Sequence, residues 1–217
     1  MQHVPDIQKI WVYRMIAIQN LAHDLEHGLY AKNRAIHHAA YVSIGSLQVI
    51  GRRDMAQVKC HAPAVVNDYV PFYFFIRTPM LYNIITGRQG SSKPQEDIVY
   101  LCCRLTDLAA IDFQWCFTDG NAAAAITRFF TDLKDIDQID WVSIETEDFR
   151  DDNVDGDEDR IRKKHAEFLV KGYVPIQQVR AIVVKTHSVL TKVEDLLHQF
   201  NLAIPVSFNT RRKFYFQ

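Results

Sequence analysis

The sequence predicts an α+β fold, in one domain over residues 1–217. Three observations predict it. Strand-like apolar runs and helix-like periodic runs both occur, yet without the regular strand–helix–strand alternation of a doubly wound sheet. The 217 residues are 48% hydrophobic, which is enough apolar material for one core of that size. No repeat and no linker-like stretch divides the chain.

Ile10 to Ile16 reads as a first strand, its poor alternation fitting burial on both faces. Ile18, Leu21, Leu25 and Leu29 recur at helical spacing, with Gly28 as a left-handed stop. Tyr30 to Tyr41 is a polar loop or irregular helix, and Tyr41 to Gly45 a short apolar segment. Asp68 to Ile76 is an aromatic strand with Pro71 near its start, and Thr78 caps a helix that has Pro79 in its first turn. Gly87 to Pro94 is a Gly/Ser loop. Ile98 to Leu105 and Asp112 to Phe117 are strands, and Asn121 to Leu133 is an Ala-rich helix. Ala166 to Val170 and Ala181 to Lys185 are further strands, followed by a helix from Val189 to Phe200 and a terminal strand from Pro205 to Phe216.

Charge and composition narrow the function classes. A net charge of -1 excludes a binder driven by a strongly basic excess, though it leaves room for a local basic groove. No 18-residue apolar run occurs, so no membrane partner is expected, and Met1 to Asp6 lacks a basic-then-apolar leader. A cytoplasmic location follows as the expectation. Cys60, Cys102, Cys103 and Cys116 form no CxxC pair and are expected to be buried free thiols in a reducing compartment, with Cys102 and Cys103 on opposite faces of a strand. His37, His38 and Cys60 lack the spacing of a metal site, so no metal is expected.

The acidic run Asp151 to Asp159 imitates a calcium loop, with oxygen ligands at alternate positions and Gly156 at the sixth. Arg162 stands where the bidentate Glu is required, so a solvated loop with loop and strand flanks is the better reading. Asp119-Gly120-Asn121 taken alone is a capped turn, and Arg52-Arg53-Asp54 an exposed charge cluster. Glu167 is more informative. It follows the long acidic loop, opens an apolar run, and has Arg162, Lys163, Lys164 and His165 beside it to hold its charge. Such a carboxylate suits the steadying of a cationic sugar centre; taken alone, it reads better as the residue of a strand-end ion pair.

Blocks along almost the whole chain carry a resemblance. In order they are Tyr13-Arg14-Met15-Ile16 with Asn20-Leu21, His27-Gly28-Leu29, Tyr41-Val42-Ser43-Ile44-Gly45 and Ile50-Gly51-Arg52-Arg53. Then come Asp68-Tyr69-Val70-Pro71-Phe72-Tyr73-Phe74, Thr78-Pro79-Met80-Leu81-Tyr82, Phe117-Thr118-Asp119-Gly120-Asn121-Ala122 and Ala166-Glu167-Phe168-Leu169-Val170. The chain resembles the DarT family, the DNA-modifying ADP-ribosyltransferase toxins of bacterial DarT–DarG systems. The resemblance implies a split β-sheet core with flanking helices, and transfer of ADP-ribose from NAD to a base in single-stranded DNA without a metal. It also implies a cognate antitoxin with ADP-ribosyl hydrolase activity.

Residue by residue, Glu167 matches the family's catalytic glutamate, and Arg53, with Arg52 as its neighbouring alternative, matches an arginine serving NAD binding and catalysis. The resemblance assigns Tyr13, Arg14, Asn20, Leu21, Leu29, Arg53 and Tyr73 to NAD, and Met80 and Asn121 to DNA. Beside Glu167 the charges of Arg160, Arg162, Lys163 and Lys164 are expected to contact DNA phosphates. Residues from about His38 to Arg53 match the element folding over NAD, and Asn121 to Glu167 the substrate loop. Tyr73 and its neighbours offer stacking faces, against core packing for Phe72 and Phe74. Two positions depart from the family pattern. Arg14 and Asn121 stand where many members have His, and this pair resembles the guanine-directed subtype rather than the thymine-directed one. RNA or protein as acceptor, or a silent module that only binds NAD or nucleic acid, are the rival readings.

Overall fold

The computed structural model describes residues 4–34, 40–87, 94–149, 157–208 and 214–216. In chain order the elements are β1 (Trp11–Ala17), α1 (Leu21–His27), β2 (Leu29–Tyr30), α2 (Leu47–Met55), β3 (Tyr69–Tyr73), α3 (Pro79–Thr86), β4 (Ile98–Arg104) and α4 (Leu105–Ala109). There follow β5 (Trp115–Thr118), β6 (Phe129–Phe130), α5 (Trp141–Glu145), α6 (Arg160–Lys163), β7 (Glu167–Lys171), β8 (Tyr173–Val174), β9 (Val179–Val184), α7 (His187–Gln199) and β10 (Val206–Phe208).

Eight strands form one mixed sheet in the order β10-β9-β4-β1-β3-β7-β5-β6, and β2 pairs with β8 in a small second sheet. Among the described residues, only β10 and β9 run parallel. The centre of the large sheet is split. β1 pairs with β4 over seven consecutive positions from Trp11 to Ala17, whereas β1 meets β3 at Tyr13↔Tyr73 alone. The α+β expectation and the split sheet both hold.

Alternation along the central strands sorts the core onto two faces. Val12, Ile16, Val99, Leu101, Cys103, Val70, Phe72, Phe74, Phe168 and Val170 fall in one cluster, which α1, α4 and α7 cover with Leu21, Leu25, Leu108, Val193 and Leu197. Tyr13, Met15, Ile98, Tyr100 and Cys102 face the other way, against Leu81 and Ile84 of α3 and against Phe214 and Tyr215. Cys102 and Cys103 therefore point to opposite faces as expected, and Phe72 and Phe74 are core residues. A third, smaller cluster (Val58, Val66, Tyr69, Cys116, Leu169) occupies the far half of that second face.

Several expectations are corrected. The stretch after Asn121 is a series of turns ending in β6, not an Ala-rich helix. Its alanines supply no apolar stripe for packing, and Lys59 Nζ takes the carbonyls of Ala125 (2.7 Å) and Thr127 (2.8 Å). The residues around Arg52 and Arg53 form α2, begun by Ser46 Oγ accepting from Val49 N at 3.2 Å. The helix expected from Ile18 is a 3₁₀ turn leading into α1. Gly28 has φ +84° with extended ψ, so it feeds β2 directly, and a Cβ there would meet the Tyr173 ring. Of the terminal strand, the described residues show Val206–Phe208, and 214–216 are not strand. Short helices α5 and α6, not loop and strand, flank the acidic run. Most of that run, His37 and His38, most of the Gly/Ser loop and residues 209–213 lie outside the described residues. Among the described residues, no helix is long and apolar enough to cross a membrane.

Candidate active site

The first residue of β7, Glu167, is buried at the middle of the split sheet, with Tyr73 beside it on β3 and Tyr13 beside Tyr73 on β1. These three lie in one row across the strands. Arg53, on the last turn of α2, reaches in from above: Nη1 donates to Glu167 Oε1 at 2.9 Å and Nη2 to Oε2 at 2.8 Å. This is the planar, two-pronged geometry that favours Arg over Lys. Arg52 is exposed on the same helix. Of the two neighbouring arginines, Arg53 meets the glutamate and Arg52 does not. Glu167 pushes the Arg53 guanidinium pKa above its ordinary value, against the opposing effect of burial.

The carboxylate is fixed from a second side by the β5–β6 connection. Ala122 N donates to Glu167 Oε1 at 3.3 Å, Glu167 N donates to Thr118 Oγ1 at 3.1 Å, and that hydroxyl donates to Gly120 O at 2.6 Å. The chain packs so closely here that a Cβ on Gly120 would lie 2.3 Å from Arg162 Nη1. Asn121 is half-buried, and its Oδ1 caps the turn by accepting from Ala123 N at 2.9 Å.

The basic run before Glu167 has a different task from the one its sequence suggests. Arg162 pairs with Asp119 at 2.9 Å and with Asp159 at 2.7 Å. Asp119, despite burial, is held below the usual carboxylate range by hydrogen bonds from Arg128 and Arg162. Lys163 sits between Asp140 (3.0 Å) and Asp157 (2.8 Å). Lys164 is buried, and its ammonium caps α5 by donating to the carbonyls of Ser143, Ile144 and Thr146. Burial, with help from Arg160 and Arg77, pushes its pKa down to about 8. His165 is also lowered, chiefly by burial, and its Nδ1 bonds Ile161 O at 2.8 Å. Arg53 from α2, not this run, is the glutamate's ion-pair partner. Lys163 and Lys164, expected to contact phosphates, direct their ammonium groups in this structure to Asp140 and Asp157 and to the carbonyls at the end of α5.

The residues assigned to NAD divide in two. Arg14 lies at the split, with Nη1 donating to Pro71 O at 3.3 Å and a buried Nε that has no hydrogen-bond partner among the described residues. Asn20 holds Val42 at both backbone atoms (2.9 Å each), pinning the 40–46 segment over the end of β1. Tyr41, raised in pKa by burial, faces Arg14 and Asn20 there; the resemblance put it in the element folding over NAD without giving it a role of its own. Tyr73 is raised by burial and then by Glu167, and its hydroxyl bonds Met80 Sδ at 3.1 Å. The side chains of Leu21 and Leu29, by contrast, are wholly in the core.

Comparison with known proteins places the chain in a class. Over 210 residues the chain is 34% identical to a DNA ADP-ribosyl transferase of Escherichia coli O127:H6, covering 96% of this chain and 94% of that relative. The fold matches Thermus sp. 2.9 DarT in complex with ADP-ribosylated ssDNA with a TM-score of 0.89, at 30% identity and covering 100% of both chains. It matches Thermus sp. 2.9 DarT in complex with NAD+ with a TM-score of 0.84, at 29% identity and covering 99% of this chain and 100% of that one. The class is that of NAD-dependent DNA ADP-ribosyltransferases. Within it, the family described as "ssDNA thymidine ADP-ribosyltransferase, DarT" matches residues 13–216, and the chain belongs to the DarT family.

Proposed function

We propose that Glu167 is the catalytic carboxylate that steadies the ribosyl cation as ADP-ribose passes from NAD to a base of single-stranded DNA. The observation that carries this is the glutamate's position: buried at the split of the sheet, in a row with Tyr13 and Tyr73, and gripped by Arg53 on both oxygens. When the C1′–nicotinamide bond breaks, its electron pair leaves with nicotinamide and positive charge develops on the ribose, as in glycoside cleavage. A carboxylate has about four acceptor positions. Arg53 and Ala122 use three of them here, which leaves Glu167 able to accept from a ribose hydroxyl and to stabilise the cation more than the ground state.

Arg53 orients that carboxylate and is itself placed to contact NAD. The Arg14 Nε, without a hydrogen-bond partner among the described residues and beside Tyr41 and Asn20, suits an anionic group such as the NAD pyrophosphate. Tyr73 and Met80 form the wall next to the reacting centre. A single-stranded acceptor avoids the cost of extracting a base from a duplex. The remaining partner we assign is a cognate antitoxin with ADP-ribosyl hydrolase activity, and the setting is the cytoplasm.

For the acceptor base we carry guanine forward, on the joint occurrence of Arg14 and Asn121. The matching family's description names thymidine, so oligonucleotides containing a single guanine or a single thymine are the test. Label from NAD confined to the thymine strand refutes guanine and leaves the enzyme class intact.

A further inference from the structure

We propose that Cys60, His61 and Cys116 form a binding site for a soft divalent metal ion, zinc by its ligand chemistry, beside the active site rather than in it. One ligand atom from each residue lies within 4.8 Å of those of the other two. Tetrahedral zinc, with sulfur at about 2.3 Å and nitrogen at about 2.0 Å, spaces its ligands about 3.3–3.8 Å apart. Binding would draw these atoms about 1 Å closer together, and Cys60, which reaches the surface, is the ligand with room to move. Two sulfurs and an imidazole select zinc over magnesium or calcium, and leave one position for water.

The ligands come from two distant segments, and both are stiff. Cys60 and His61 lie on the connection between α2 and β3, which is closed by the Gln57↔Val65 bridge and by Val58 N donating to Ala64 O at 2.8 Å. Cys116 is buried on β5, between Leu169 of β7 and the β6 edge. His61 has the outer partner that metal-ligating imidazoles usually have: its Nδ1 lies 3.0 Å from Tyr69 Oη, with the two rings within 7° of parallel. A surface cleft lined by Cys60, His61, Asp68, Gln114 and Lys171 gives an ion a way in. Lys171 does not oppose binding, because two thiolates neutralise the ion's charge and the ammonium is held by Gln114 Oε1 at 2.9 Å.

The position gives such an ion a structural consequence. The α2–β3 connection links Arg53 to Tyr73, and Cys116 lies two residues before Thr118, which receives the Glu167 N–H. An ion would staple together the two segments that flank the Arg53–Glu167 pair, and it takes no part in the transfer.

The test uses the reduced, full-length protein with Zn²⁺ or Co²⁺ alone. One equivalent of zinc should survive dialysis and raise the Tm, and Co²⁺ should give a thiolate-to-cobalt charge-transfer band. Cys60→Ser should abolish the band and the retained metal, as should His61→Ala, whereas Glu167→Gln should keep both. His61→Ala carries the argument if a change at buried Cys116 prevents folding. Absence of a thiolate–cobalt band in the folded, reduced protein overturns the proposal. So does a band indifferent to Cys60→Ser, or a Cys60–Cys116 disulfide as the only chemistry these residues show.

Discussion

Replacing Glu167 by Gln changes one atom type and separates the glutamate's two tasks. The amide keeps its volume and can still accept from Arg53 or from Ala122 N, but it loses the charge that faces the developing ribosyl cation. Loss of one preorganised stabiliser of a transition state costs about 2.7–4 kcal/mol, or about 10²–10³ in kcat. Breaking a buried ion pair by removing one partner costs about 3–5 kcal/mol in a sealed interior. Here the Arg53 side chain keeps 13% of its exposure, so the cost should be smaller, about 2 kcal/mol by the same reasoning. For a chain of 217 residues that is a fall in Tm of about 4–8 °C. The assay is transfer of label from NAD to a single-stranded oligonucleotide, with NAD affinity and thermal melting measured on the same preparation. The expected result is a loss of at least about 100-fold in transfer from a folded protein that still binds NAD. Transfer within tenfold of the parent by a folded Glu167→Gln protein would refute the role given to this carboxylate.

Four further outcomes follow from the same geometry. Arg53→Ala should lower transfer by at least about tenfold more than Arg52→Ala, because only Arg53 meets Glu167; equal, mild losses would contradict this. Asn20→Ala should raise KM for NAD more than it lowers kcat, since it frees the 40–46 segment at Val42, and an unchanged KM would refute that role. Gly120→Ala should lower kcat by displacing Arg162 and shifting the turn that brings Ala122 N to Glu167; unchanged kinetics would show that the turn absorbs the methyl. Lys164→Met should destabilise by about 1–3 kcal/mol by leaving the end of α5 uncapped. The pH dependence has a definite sign. The Lys164 pKa is about 8 in the folded protein and in the ordinary lysine range when unfolded. Above about pH 8 the unfolded chain keeps a proton that the folded chain has released, so this residue's contribution to stability rises with pH up to that range. Denaturant melts at pH 7 and pH 9.5 should show that increment in the parent and not in Lys164→Met.

How far the sequence could be read depended on whether a residue's partner was local. The strands were legible because their apolar runs are continuous and the strands are buried on both faces, and α3 because Thr78 and Pro79 mark its start. The turn region after Asn121 was not legible. Alanine runs have helical propensity, and the carbonyl clamp that overrides it comes from Lys59, far away in the chain. The same limit explains the basic run at Arg162 to His165. Adjacent to Glu167 in sequence, it spends its charges on Asp119, Asp140, Asp157 and Asp159, while the true ion-pair partner lies 114 residues away. Helix α2 buries no residue, so it leaves no apolar stripe to find, and only the family resemblance pointed to Arg53. Cys60 and Cys116 likewise come together only across the fold.

The central claim, that this chain moves ADP-ribose from NAD onto a base of single-stranded DNA, is tested most directly by mass spectrometry of nucleosides. Single-stranded oligonucleotides would be incubated with the protein and NAD, then digested. The account predicts an ADP-ribosylated nucleoside in the digest, formed only with NAD and lost with Glu167→Gln. Unmodified DNA nucleosides, alongside ADP-ribose on RNA or protein supplied in the same reaction, would contradict it.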